Sequence, residues 1–464
     1  MTRSFQRVTG ASGFLELRKT LVLAAPITAG HLSQMIMGFV DTLMIGRVGV
    51  VPLAAAAFSN AIAHFLLIAG IGLLTGVSVF VSHAYGARRY QEAGEMLRRG
   101  LVIALAGGVL IAGLLRAAFP FLGLLGQPPE VIEACKPYLW YLALSIPFAL
   151  TTLSLKNYAE AQDIPWPAFW TGLIAVLLNI FLNWVLIYGN LGMPAYGLEG
   201  AGIATLASRA FQVFLLLAWI RLDARFLRTW PRAWLAPLSL TGLWGMIRFG
   251  FPVALQLLME VGAFAASTLL MGWLGVIEIA AHQIALTYAA TTFMIPLGIS
   301  LAVAIRVGQA LGAGEPERVH SIGFGATGFG ILASCLFATV FIGFNEELVR
   351  LFTADAETVA LASVLIIIAG IFQILDATQV LSVGALRGCK DVRIPTLIIF
   401  TAYWVVGIPI GAFLAFGLAI GAPGIWIGLA AGLGSAAIGL LARFHRLSGP
   451  WAMGSPSSGA RGGT

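Results

Sequence analysis

The chain has 464 residues, 59% of them hydrophobic and 10% charged, with a formal net charge of +7. Soluble domains carry roughly 25% charged residues, and a water-soluble protein with this much apolar surface would aggregate. That excludes a soluble globular protein and leaves a polytopic membrane protein.

Apolar runs of about 20 residues or more, each able to cross roughly 30 Å of hydrocarbon, recur along the chain. They predict twelve helices, over 20–46, 53–83, 99–122, 136–160, 166–189, 198–221, 246–274, 279–308, 323–344, 358–386, 395–419 and 424–447. Barrel strands of about ten residues are far shorter. The start, MTRSFQRVTG, lacks a short apolar run with a cleavage site, which argues against a removable signal peptide. The end, GPWAMGSPSSGARGGT, is Gly/Ser-rich and reads as disordered. The expected organisation is a cytoplasmic segment 1–19, six helices in 20–221, a basic linker 222–245, six helices in 246–447 and a tail 448–464.

The positive charge sorts by topology. With both termini inside, 23 of the 27 Lys and Arg residues fall at cytoplasmic ends or loops, and only Arg47, Arg116, Lys136 and Arg350 fall outside. That is the positive-inside pattern, and it removes the reason to invoke a nucleic-acid partner. Cys135, Cys335 and Cys389 are far apart and lack CxxC spacing, so they read as packing residues.

The chain also repeats itself. TLMIGRVGVVPLAAA (42–56) matches TLLMGWLGVIEIAAH (268–282) at an offset of 226, which also pairs Pro26 with Pro252 and Gly72 with Gly298. AQDIPWP (161–167) matches CKDVRIP (389–395) at 228, through Asp163/Asp391 and Pro167/Pro395. Each half begins inside and has an even number of spans, so the repeats are parallel. Parallel repeats predict two six-helix lobes related by a pseudo-two-fold along the membrane normal, able to rock about a central cavity.

Of the 20 acids, three lie deep in predicted spans: Asp41, Glu260 and Asp376. Each opposes insertion by roughly 2.5–3.5 kcal/mol at a helix centre. By this span placement no Lys or Arg lies deep enough to pair with them. They must be protonated, bind a cation or face water. None has an acidic mate in the other half: Asp41 aligns with Ser267, Glu260 with Gln34 and Asp376 with Phe148. A carboxylate required to fold the repeat would recur, so an unrepeated one reads as function. Asn179 and Asn183 share one helix face at i and i+4, and with Asp41 could supply hard oxygen ligands to a small cation. In the second half Gln256 precedes Glu260 by four, Gln373 and Gln379 flank Asp376 by three, and His282-Gln283 begins the eighth span. Met35, Met37, Met44, Met259 and Met294, with Phe264, Tyr288, Phe293 and Phe372, offer polarizable and π surfaces suited to a lipophilic cation.

GFVDTLMIGRVG, LNIFLNWVLIYG, GFPVALQLLMEVGAF, AAHQIAL, SLAVAIRVGQALG and DATQVLSVGALRGCKD resemble the multidrug and toxic compound extrusion (MATE) transporters, in their NorM-like branch. The resemblance runs from about residue 15 to 445. It implies two six-helix lobes and a secondary antiporter that exports organic cations in exchange for inward sodium or protons, with no other cofactor. It implies a bacterial inner membrane, with the bilayer and cationic amphiphilic drugs and dyes as partners; because each lobe buries its own six helices, a monomer is expected. By position it implies ion-coupling carboxylates Asp41, Glu260 and Asp376 and first-lobe cation ligands Asp41, Asn179, Asn183 and Thr205. A second-lobe site would comprise Glu260, Asp376, Gln256, Gln283, Phe264, Tyr288, Phe372 and Gln373. Some sodium-coupled members carry tyrosine where this chain has Phe372, which has no oxygen; that weakens a sodium site there and leaves proton coupling open.

Three rivals explain the composition less well. A lipid-linked saccharide flippase should need deep cationic residues for a diphosphate, a channel predicts no alternating states, and a membrane enzyme needs a convergent nucleophile or metal set. Neither GxSxG nor HExxH occurs.

Overall fold

The computed structural model describes residues 11–449 apart from 235, so the first ten residues and the tail beyond Gly449 lie outside it. The described residues form twelve long helices: α1 (Ala11–Gly46), α2 (Val50–Gly86), α3 (Tyr90–Ala118), α4 (Pro129–Glu160), α5 (Trp166–Tyr188) and α6 (Gly197–Leu222), then α7 (Leu240–Leu274), α8 (Val276–Gly312), α9 (Glu317–Gly343), α10 (Ala356–Gly388), α11 (Arg393–Gly417) and α12 (Ala422–Ser448). All twelve contain a window long and apolar enough to span a membrane, as expected from the apolar runs. Several outrun those runs. α1 starts near residue 11 rather than 20 because Glu16, polar and unfavourable in an apolar count, is buried and paired.

Two compact units emerge: Ala29–Leu255, and Gln256 onward together with the segment ending at Thr28. The division departs from the halves expected at 20–221 and 246–447. The start of α1 belongs to the second unit, and the start of α7 to the first. The boundary follows a helix-interior proline in each case, Pro26 and Pro252, where a backbone donor is missing and the ring crowds the preceding turn.

Packing gives the reason for the exchange. Leu23, Ala24 and Ile27 of α1 sit in the second unit's core with Leu365, Leu381 and Leu429. Met246 of α7 sits in the first unit's core with Leu97, Leu139 and Tyr158. Two repeat-related glycines admit the exchanged segments. A Cβ on Gly72 would lie 2.5 Å from the Ala254 backbone nitrogen, and one on Gly298 would lie 3.0 Å from the Thr28 Cα. Ala254 and Thr28 are themselves 226 residues apart, the offset of the repeat.

The expected linker 222–245 is tied down rather than free. Phe226 is fully buried, the Tyr158 hydroxyl donates to Thr229 Oγ1 at 2.7 Å, and Thr229 donates to Gln162 Oε1 at 2.7 Å. Arg98, 4% exposed, donates to the carbonyls of Trp234 and Ala236. These bonds hold the approach to α7 against the first unit.

Candidate functional site

Each unit contains a polar cluster among its apolar helices. In the first, α1 supplies Asp41 and α5 supplies Asn179 and Asn183. The two asparagines are fully buried, and their i, i+4 spacing stacks them on one helix face. Asn183 Nδ2 donates to Asp41 Oδ1 at 2.5 Å and to Asn179 Oδ1 at 3.1 Å. The Tyr188 hydroxyl donates to the Met44 carbonyl at 2.8 Å, pinning α5 to α1 about one turn away. Among the described residues Asn183 Oδ1 and Asn179 Nδ2 have no hydrogen-bond partner, leaving an acceptor beside the carboxylate. Thr205 is buried on α6, and its hydroxyl donates to the Ala201 carbonyl of its own helix at 3.0 Å.

The expectation that no cation lies deep is wrong. Arg209 stands near the midpoint of α6, one turn after Thr205 on the same face. Its Nη1 donates to Ser145 Oγ at 2.7 Å, and its charge is within electrostatic reach of Asp41, Tyr138 and His64. A positive-inside count places it with the cytoplasmic cations, and the structure does not. Tyr138, whose hydroxyl donates to Asn60 Oδ1 at 3.3 Å, completes a set contributed by α1, α2, α4, α5 and α6.

In the second unit Glu260 on α7 is the hub. Gln256 Nε2 and Gln379 Nε2 both donate to its Oε1, at 3.0 and 2.9 Å. The Tyr403 hydroxyl donates to Gln379 Oε1 at 3.0 Å, fixing the amide so that its nitrogen faces the carboxylate. Tyr403 lies in a π-helical stretch of α11, Thr401–Gly407, a local widening often found at functional positions. Asp376 is 9% exposed, makes no hydrogen bond among the described residues and is within electrostatic reach of Glu260. Arg387 is also buried and also feels Glu260.

The remaining expected residues divide. Phe372 is fully buried, edge-on to Phe264 at 6.2 Å and to Trp426 at 5.5 Å, and Phe264 meets Tyr403 at 6.3 Å. These rings wall the Glu260 cluster. Gln373, Tyr288 and Gln283 do not join it. Gln373 Nε2 donates to the Ala289 carbonyl at 2.9 Å, and the Tyr288 hydroxyl to the Leu348 carbonyl at 2.9 Å. Gln283 is exposed on α8. Sequence reasoning missed Arg209, Tyr138 and Tyr403. The one signal for Arg209 was its position about twelve residues into an apolar run; nothing distinguished Tyr403 from a packing residue.

Comparison with known proteins fits the repeat. The family model described as MatE matches residues 26–185 and again 252–413, two matches that begin 226 residues apart. The chain belongs to the MatE family, and it is a transporter rather than an enzyme. It is 36% identical over 435 residues to a probable multidrug resistance protein NorM of Pseudomonas putida, covering 93% of this chain and 94% of that protein. It is 34% identical over 450 residues to the multidrug resistance protein MdtK of Yersinia pseudotuberculosis, covering 93% and 96%. The crystal structure of the eukaryotic MATE transporter AtDTX14 superposes with a TM-score of 0.83 at 23% identity, covering 94% and 98%. That of the Vibrio cholerae MATE transporter VcmN in the bent form gives 0.84 at 21%, covering 95% and 98%.

Proposed function

We propose that this chain is a multidrug efflux antiporter that exports lipophilic organic cations in exchange for inward sodium ions or protons. The observation that carries the reading is the pair of carboxylate centres, Asp41 in one unit and Glu260 with Asp376 in the other, with side-chain amides backing Asp41 and Glu260. An unrepeated carboxylate inside an apolar bundle is costly to keep. It is explained if a cation must be bound and then released. Export and ion entry then compete for the same negative charge, and alternating access separates the two events in time. The names of the relatives support the drug-export half.

The two centres suit different partners. Asn183 Oδ1, an unsatisfied acceptor beside Asp41, favours a metal cation or an ammonium group. Around Glu260 the amides present N–H groups and the neighbouring ring at 372 has no oxygen, which leaves the site poor in metal ligands and proton coupling open there. The protein acts as a monomer in the bacterial inner membrane with both termini cytoplasmic, and it needs no cofactor beyond the coupling ion.

Ethidium efflux from reconstituted vesicles, under a sodium gradient alone and then a proton gradient alone, tests the proposal. Asp41→Asn, Glu260→Gln and Asp376→Asn run beside wild type. Gradient-driven efflux that at least one carboxylate variant loses is the expected result. No efflux under either gradient, or three variants indistinguishable from wild type, would overturn it.

A further inference from the structure

The segment after α6, RLDARFLRTWPRAW (221–234), carries four arginines against one acid. Cations that only mark topology need no fixed position, yet these are held. Phe226 is buried and Thr229 bonds Tyr158 and Gln162, which clamps the segment to the first unit. Arg225 grips Asp223 through its fork, Nε to Oδ1 at 3.0 Å and Nη2 to Oδ2 at 2.6 Å, so the one acid is already neutralised. Arg221 lies over the Trp230 ring, its guanidinium carbon 5.8 Å from the centroid; such stacking holds the plane and leaves the N–H edges open. Arg221, Arg228 and Arg232 are exposed, and among the described residues none of their guanidiniums has a hydrogen-bond or ion-pair partner.

Beside Arg221 the surface of α6 opens into a groove of about 450 Å³ lined by Leu215, Ala218, Trp219, Leu222 and Asp223. The first four stand at i, i+3, i+4 and i+7, one apolar stripe of the helix, and Arg221 follows Ala218 by three, at the edge of that stripe. α6 is long and apolar enough to span a membrane. An apolar slot that runs along such a helix and ends at an open guanidinium has the polarity of one lipid molecule, acyl chain first and phosphate last. The charge balance decides which lipid. With Asp223 taken by Arg225, no acid of the segment is left to receive a headgroup amine, and Arg228 and Arg232 on the same clamped segment oppose one. A phosphate without a compensating amine is attracted.

We propose that this is a binding site for a single anionic phospholipid, with one acyl chain along Leu215, Ala218, Trp219 and Leu222 and the headgroup phosphate on Arg221. The site shares no residue with either carboxylate centre and needs only that the chain span a bilayer, so it stands whether or not the export reading does.

The test is native mass spectrometry of the full chain, released from detergent with dioleoylphosphatidylglycerol or with dioleoylphosphatidylcholine, which share chains and phosphate and differ in the headgroup amine. Wild type should retain one phosphatidylglycerol about tenfold more tightly than phosphatidylcholine, three open arginines acting on one net charge. Arg221→Gln should remove most of that preference, whereas Arg393→Gln, an exposed arginine at the start of α11, should keep it. Ala218→Trp, which fills the groove, should weaken both lipids. Equal retention of the two lipids by wild type overturns the proposal. So does an Arg393→Gln variant that loses the preference as fully as Arg221→Gln, since diffuse charge would then suffice, or an Ala218→Trp variant that binds both lipids as wild type does. Displacement of phosphatidylglycerol by glycerol 1-phosphate would mean that the phosphate alone is recognised, and overturns the lipid assignment too. The wild-type ratio decides even if a variant fails to fold.

Discussion

Glu260 accepts two amide donors on one oxygen, and one of those amides is itself aimed by Tyr403. Removing the tyrosine hydroxyl leaves Gln379 free to turn its carbonyl toward the carboxylate. Tyr403→Phe should therefore slow gradient-driven ethidium efflux about fivefold, the worth of one hydrogen bond near 1 kcal/mol, and Glu260→Gln should slow it further still. Equal rates for Tyr403→Phe and wild type, at equal protein per vesicle, would remove Tyr403 from the site. The three carboxylates were legible in the sequence because an acid deep in an apolar run has few innocent explanations. Asn179 and Asn183 were legible because helical spacing puts them on one face. What a single sequence does not contain is the direction each face points. Gln373 stands three residues from Asp376, yet its amide goes to the Ala289 carbonyl. Arg209 went unread for a different reason: a positive-inside count treats every cation as a topology marker, including one near a helix midpoint.

At the scale of elements, the repeat predicted that Gly72 and Gly298 are equivalent, and the packing says what they do. Each lets a neighbouring helix approach more closely than a side chain would allow, but the neighbours differ. An added methyl at Gly72 meets Ala254 backbone atoms, which cannot move without shifting α7; at Gly298 the closest obstacle is the Thr28 hydroxyl, which can rotate away. Gly72→Ala should cost on the order of 1–3 kcal/mol, as overpacking does, and Gly298→Ala less. Thr28→Ala should restore most of what Gly298→Ala loses. Thermal unfolding in detergent reads all three, and equal losses for the two glycine variants would refute this reading of the contacts. A second element-scale prediction concerns the start of α1. Glu16 is shared by Arg306 and Arg318, and Arg306 is buried while Arg318 is 35% exposed at its side chain. Glu16→Ala should destabilise by about 3–5 kcal/mol, as breaking a buried pair does, whereas Arg318→Ala should cost under roughly 1 kcal/mol. The same thermal measurement separates them. That α1 and α7 each divide between units was not legible: the sequence marks Pro26 and Pro252, but a proline announces a break without saying which core the earlier turns will join.

For the whole molecule, the informative fact is that the carboxylates are unequal between units, one in the first and two in the second. If each unit carries one monovalent ion inward per cycle and one monovalent drug leaves, a cycle moves one net positive charge inward. A potential of 100 mV, negative inside, then adds about 2.3 kcal/mol to export, roughly a fiftyfold gain in the attainable drug gradient. Disabling either unit's carrier, by Asp41→Asn or Glu260→Gln, leaves one ion against one drug and an electroneutral exchange. Residual transport in either variant should therefore ignore a potassium diffusion potential that accelerates wild type. The measurement is ethidium efflux from vesicles clamped with valinomycin at zero and at about 100 mV, with ion gradients held fixed. A variant that keeps the full voltage response would mean that its carboxylate carries no coupling charge. Wild type indifferent to voltage would mean that only one of the two centres serves the ion. Glu260 with Asp376 would then be the centre to retain, because Asp376 lies within electrostatic reach of the Glu260 charge and one proton on either removes that repulsion.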